Sequence, residues 1–225
     1  MRENLSFIHC FSFPFSTPQA RKDWLWGSLL LCTLLIGWIL NLGHRLDVVH
    51  RLYHNQPPYY RGFHPVKQTF VRGLQAFLAI TVYLCPAMII ASLSYVYYPH
   101  EAMNLLSILS ILLFILAIFT LPGGMTYNAA DRDITYLYRP DKAFKRSVKA
   151  GRLYLKAWVI GLSAITLSFS VIALYLLLFN WLDFREHLLI LILFLSIFFM
   201  ASVWAWNVVG YAFSQALVLR GSKKI

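Results

Sequence analysis

Residues 123–156, GGMTYNAADRDITYLYRPDKAFKRSVKAGRLYLK, decide how this chain is read. They lie between two long apolar segments. They carry Arg132, Arg139, Lys142, Lys145, Arg146, Lys149, Arg152 and Lys156, eight of the 20 Lys and Arg in the protein. A cationic block between apolar spans resists transfer across a bilayer and is retained in the cytoplasm. Once its side is assigned, the direction of every neighbouring segment follows.

The rest of the chain agrees with a membrane setting. Of its 225 residues, 59% are hydrophobic and only 13% charged. Soluble domains use roughly 45–50% apolar and about 25% charged residues. The apolar residues also come in blocks of about 20, enough for a helix to cross the hydrocarbon core. The expected fold is therefore all-α: a polytopic transmembrane bundle forming one domain. The formal charge of +11 does not point to nucleic acid, because the cations flank apolar spans, where they set orientation and meet anionic head groups. Cys10, Cys32 and Cys85 are odd in number and show no metal or disulfide spacing. No signal-peptide pattern precedes the first apolar block.

Five spans are predicted, at about 24–43, 71–98, 102–121, 157–181 and 187–219, joined by basic connections at 44–70 and 123–156. Before the first span, Phe7, Phe11, Phe13 and Phe15 suit the head-group region, and Pro14 and Pro18 interrupt a long helix. Pro86 predicts a kink in the second span. Pro122-Gly123-Gly124 reads as the end of the third. Asp141 reads as the cap of a helix starting at Lys142. In that helix Phe144, Val148, Gly151 and Leu155 form one stripe, and Lys145, Lys149, Arg152 and Lys156 form the next. The last block is too long for one perpendicular span and predicts tilt, protrusion or a break near Asn207 and Gly210.

Five spans place the two long connections, Arg72 at the head of the second span and the chain's end on one side, with sixteen of the 20 Lys and Arg. The positive-inside rule then puts the N-terminus outside and the C-terminus in the cytoplasm. Arg21 and Lys22 oppose this arrangement, and a re-entrant first segment would instead make the N-terminus cytoplasmic.

A faint repeat is visible. Gly43, Asp47, Arg51, Tyr53, Pro57 and Phe70-Val71-Arg72-Gly73 echo Gly124, Asp131, Arg132, Tyr138, Pro140 and Val148-Lys149-Ala150-Gly151. Two parallel units, each span, basic connection, span, are expected from it, with a further C-terminal span. Gly37, Gly43, His44-Arg45, Pro57-Pro58 and Arg72-Gly73-Leu74 also carry a resemblance. The chain resembles a family of uncharacterised prokaryotic multi-span membrane proteins, catalogued as domain of unknown function number four thousand and thirteen. The resemblance implies a helical membrane domain. It brings no activity, cofactor or catalytic residue.

Candidate chemistry is sparse. His44, His50, His54 and His64 cluster in the first connection, and His50 and His54 have the i, i+4 spacing of a metal pair. Asp47 is the only nearby acid and no Cys joins them, so interfacial histidines are the alternative and no metal is assigned. The predicted span centres lack Asp, Glu, Lys and Arg, the usual marks of ion coupling. Asn41, Gln75, Thr81, Ser92, Ser94, Asn207 and Gln215 read as helix-to-helix hydrogen bonders. Asp131 and Asp133 resemble half of a Mg²⁺ site of a lipid-modifying enzyme.

The expected function is a non-enzymatic scaffold or partner subunit without cofactor or catalytic residues. Arg45, Arg51, Lys145, Arg146, Lys149, Arg152 and Lys156 would face anionic lipid head groups or other membrane protein subunits. A small transporter or channel component is the first alternative and a lipid-modifying membrane enzyme the second. The expected location is a prokaryotic inner, plasma or thylakoid membrane.

Overall fold

A computed structural model describes residues 5–58, 66–99, 103–182 and 188–221. The expected roles of His64, Pro65, the turn at 100–102, the turn at 183–187 and the cations Lys223 and Lys224 lie outside the described residues. Among those described there are helices and no strands. They are α1 (Phe7–Ser12), α2 (Pro18–Leu31), α3 (Leu35–Tyr53), α4 (Val66–Tyr97), α5 (Leu105–Asp131), α6 (Thr135–Tyr138), α7 (Pro140–Ala150), α8 (Arg152–Leu182) and α9 (Leu188–Gly221). Four of them, α4, α5, α8 and α9, are long and apolar enough to cross a membrane.

The segment at 24–43 is not among those four. It is broken at Cys32–Leu34, where Leu34 takes φ 52° and ψ −120°. The chain reverses there, and α2 runs back along α3. Asn41 Nδ2 donates to the Gly27 carbonyl at 2.9 Å and to the Gly37 carbonyl at 2.9 Å. A side chain at Gly37 would collide with the Leu30 carbonyl. The pairings of Gly27 with Asn41 and Leu30 with Gly37 are those of an antiparallel helical hairpin. Its tip is level with the middle of α4: Trp38, four residues past the turn, meets Phe77 edge-on at 5.4 Å.

Helix α3 then descends α4 in the opposite direction. A side chain at Gly43 would strike the Thr69 carbonyl, and one at Gly73 the Ile39 carbonyl. Two glycines thus let the backbones touch, as small residues do at membrane helix interfaces. Leu42, Leu46 and Val49 of α3 pack with Ala76 and Ala79 of α4 and Met125 and Ala129 of α5.

The other half of the bundle is the α8–α9 pair. Tyr154, Ala157, Ile160 and Ala164 meet Ala205, Val208, Ala212, Phe213 and Ala216. The N-terminal aromatic lead docks on this pair. Cys10 is 1% exposed and Phe13 stacks on Tyr211 at 4.2 Å. Trp204 Nε1 donates to the Phe11 carbonyl at 3.1 Å. Phe7 and Phe15 remain exposed.

Two further expectations are corrected, and of the alternatives left for the last block the break is excluded. Helix α5 continues through Pro122-Gly123-Gly124 to Asp131. The glycines admit α7 and do not end the helix: a side chain at Gly123 would strike Ser147 Oγ, and Ala143 Cβ lies 3.4 Å from a Cβ placed on Gly124. Helix α7 starts at Pro140, and Asp141 sits in its first turn paired with Arg139 at 3.2 Å instead of capping it. Helix α9 runs unbroken past Asn207 and Gly210 for 34 residues. At 1.5 Å per residue that is about 51 Å, well beyond a core of about 30 Å.

Candidate functional site

The hairpin changes where the charges are. A straight first span would leave residues 44–54 in water. Bent back, they enter a layer bounded by α2, α4, α5 and α9, and the polar side of α3 becomes the most elaborate polar feature in the molecule.

Its centre is Asp47, 1% exposed. Arg72 Nη1 of α4 and Arg132 Nη2, just past α5, both donate to Asp47 Oδ1, the latter at 2.9 Å. Thr69 Oγ1 donates to Oδ2 at 3.4 Å. One carboxylate therefore fastens α3 to α4 and α5. Arg132 reaches it from a left-handed backbone (φ 56°) that ends α5. One turn further along α3, His50 Nδ1 donates to the Ala129 carbonyl at 2.7 Å and His54 Nε2 to the Ala130 carbonyl at 3.3 Å. Carbonyls in the last turn of a helix have no partner within it. The two histidines supply one, and their rings meet edge-on at 4.4 Å. Their i, i+4 spacing thus serves α5. No group of three or more His, Cys, Asp or Glu among the described residues is placed to hold a metal ion.

On the opposite side of α3 lies a cavity of about 30 Å³, walled by Asp23, Asn41, His44, Arg45, Trp206 and Asn207 among others. That is room for about one water molecule. His44 Nε2 is 3.9 Å from Asp23 Oδ2. The Arg45 guanidinium lies over the Trp206 ring at 4.9 Å, a cation–π contact, with Gly210 close against its stem.

The seven cations expected on the lipid or partner face divide. Arg45 does not belong there, because the hairpin draws it inward onto α9. Arg51 Nη1 donates to the Pro57 carbonyl at 3.4 Å and stays half-buried beside the chain that leaves α3. Lys145, Lys149, Arg152 and Lys156 are exposed on α7 and the first turn of α8. Arg146 lies on α7 as expected. Both predicted stripes face outward: Phe144, Val148 and Leu155 are 38%, 54% and 55% exposed. The buried face of α7 is a third one: Ala143 and Ser147 are laid on Gly124 and Gly123, and Ala150 joins the α8–α9 cluster.

Asp133 is engaged by its own neighbourhood. It accepts from Lys142 Nζ at 2.6 Å and from the Thr135 backbone N–H at 2.9 Å. The Lys142 hydrogen bond, with those from Thr135, lowers its pKa to about 2. Of the polar residues expected to join helices, Asn41 ties α2 to α3, and Ser94 reaches Asn104 at 2.9 Å to tie α4 to α5. Thr81 and Ser92 bond carbonyls of their own helix instead.

Sequence reasoning missed Asp47 as a hub, missed Asp23 and Trp206 altogether, and read Asn207 only as a helix-to-helix hydrogen bonder or break point. A weak signal existed: Asp47 is the single acid among four histidines and several arginines, and Gly43 stands one turn before it. A scan against protein-family models found no matching family, and searches of curated proteins and of solved structures found no match. The class supported by the fold is a multi-pass helical membrane protein with four long apolar helices.

Proposed function

We propose that this protein is a non-enzymatic structural or partner subunit of a prokaryotic membrane complex, in an inner, plasma or thylakoid membrane. The observation that carries this reading is the division of the cations. Arg45, Arg72 and Arg132 fasten helices to one another, whereas Lys145, Lys149, Arg152 and Lys156 on α7 and the start of α8 point outward beside exposed apolar residues. A rigid bundle with an outward basic shelf suits lateral assembly. The one-water cavity beside Arg45 fits a packed joint better than a solute path. Extraction in a mild detergent tests the proposal: a co-purifying membrane subunit is expected, and a lone chain at every detergent concentration contradicts it.

The same reading places α2 and α3 as a re-entrant hairpin, with the N-terminal and C-terminal ends both cytoplasmic. This moves Arg2, Arg21 and Lys22 to the basic side and leaves Arg185 as the single one of the 20 Lys and Arg on the other. That is the more consistent charge distribution. Duplication of a span–connection–span unit and membership of the family named above stay part of the proposal.

A transporter component is the second reading. It is favoured by ionisable Asp23, His44 and Arg45 lining a cavity between helices, since such groups inside a membrane commonly mark ion pathways. Ion flux through liposomes containing the purified chain separates the two readings.

A further inference from the structure

Three acids of the basic end hold cations of their own. Asp47 holds Arg72 and Arg132, Asp133 holds Lys142, and Asp141 holds Arg139. Lys145, Lys149, Arg152 and Lys156 are a separate set: none forms a salt bridge with a described carboxylate, and Lys145 acts on Asp141 only through space. These four occupy both arms of an elbow. Its hinge is Gly151, with φ 57° and ψ −132°, a conformation that L side chains rarely adopt. A Cβ there would meet nothing within 4 Å, so the glycine is required by the backbone angle and not by crowding.

On each arm the cations stand beside exposed apolar residues. Phe144 and Val148 flank Lys145 and Lys149 on α7, and Leu155 lies between Arg152 and Lys156 on α8. The inner face of α7 is fixed, Ala143 and Ser147 on α5 and Ala150 in the α8–α9 cluster, so this outer face is held in position and cannot turn inward. Helix α8 is a span and α7 departs from its end, which puts the elbow at the membrane surface.

Resting on the basic shelf proposed above, we infer that the Gly151 elbow is a binding site for the phosphodiester head group of an anionic phospholipid. The four cations take the phosphate, and Phe144, Val148 and Leu155 take the upper acyl chains. An acidic protein or a nucleic acid would match the charge and leave those apolar side chains against water. A lipid satisfies both, as amphipathic interfacial helices do.

The test uses the full chain reconstituted in vesicles of pure phosphatidylcholine or of phosphatidylcholine with phosphatidylglycerol. The readouts are acylation of Lys145, Lys149 and Lys156 by mass spectrometry, and the preference of bound lipid for phosphatidylglycerol. Protection of these lysines in phosphatidylglycerol vesicles is expected, with a preference that falls about five-fold for each of Lys145→Gln and Lys149→Gln. Gly151→Ala keeps every charge and is expected to lower the preference too, because it strains the elbow. Equal labelling in both vesicles overturns the inference. So does equal protection by inorganic phosphate in phosphatidylcholine, which would make the site one for free anions, or an unchanged preference in Gly151→Ala. A chain that purifies without partner subunits but still selects phosphatidylglycerol would refute the subunit role and leave this site standing.

Discussion

Asp47 shows how one side chain organises its surroundings. Its carboxylate is buried, and the two guanidinium groups that meet it are partly exposed, 28% for Arg72 and 36% for Arg132. Breaking a buried ion pair costs about 3–5 kcal/mol, because the partner charge stays behind. Solvent reaches both arginines here, so the lower end applies. Asp47→Ala is expected to destabilise the protein by about 3 kcal/mol, read as a lower thermal midpoint in detergent. Loss of the helix joint should also make α3 more accessible to protease. Asp133 gives a pH signature. Its pKa is depressed, so its contribution to stability is present above the ordinary carboxylate range of about 3.9 and is lost as pH falls toward about 2. Lys142→Ala should raise the Asp133 titration part of the way toward the ordinary range, since the Thr135 hydrogen bonds remain. Carboxyl ¹³C NMR reads this directly, and an unmoved midpoint would show that Thr135 alone sets it.

At the scale of the helix, two backbone features set the architecture. The first is the Gly43–Gly73 crossing. Gly43→Ala forces a methyl into the Thr69 carbonyl and must part α3 from α4, at a cost of about 3 kcal/mol, the upper end for overpacking. The Asp47–Arg72 contact should loosen with it. The second is Leu34, held at φ 52° in the hairpin turn. Such strain costs on the order of 1–3 kcal/mol, and glycine adopts the angle freely at a cost of roughly 0.5–1 kcal/mol in chain entropy. Leu34→Gly is therefore expected to raise the thermal midpoint slightly, and a marked fall would mean that Leu34 anchors the tip by contact instead.

These elements mark how far the sequence could be read. The four long helices were legible because each carries an apolar run of span length. The cationic stripe on α7 was legible because its period is helical. The hairpin was not, since Cys32-Thr33-Leu34 holds no glycine or proline and a turn built on a strained leucine leaves no compositional trace. Pro122-Gly123-Gly124 misled in the opposite sense, because a glycine that admits a neighbouring helix looks the same as one that ends its own. Asp47 was visible as a residue, but its role depends on Arg132, which is 85 positions away and arrives only when α5 overruns its expected end.

At the scale of the whole molecule, the account rests on the α2–α3 hairpin returning to the side from which it came. That return draws Asp23, His44 and Arg45 among the helices and gathers the basic residues at one end. Accessibility to a membrane-impermeant maleimide tests it most directly, in a chain with Cys10, Cys32 and Cys85 replaced by alanine and a single cysteine introduced as Arg21→Cys or Lys149→Cys. In intact cells both variants should stay unlabelled, and both should label once the membrane is opened. Labelling of Arg21→Cys from the exterior, with Lys149→Cys still protected, would mean that the first apolar segment crosses the membrane, and would contradict the hairpin.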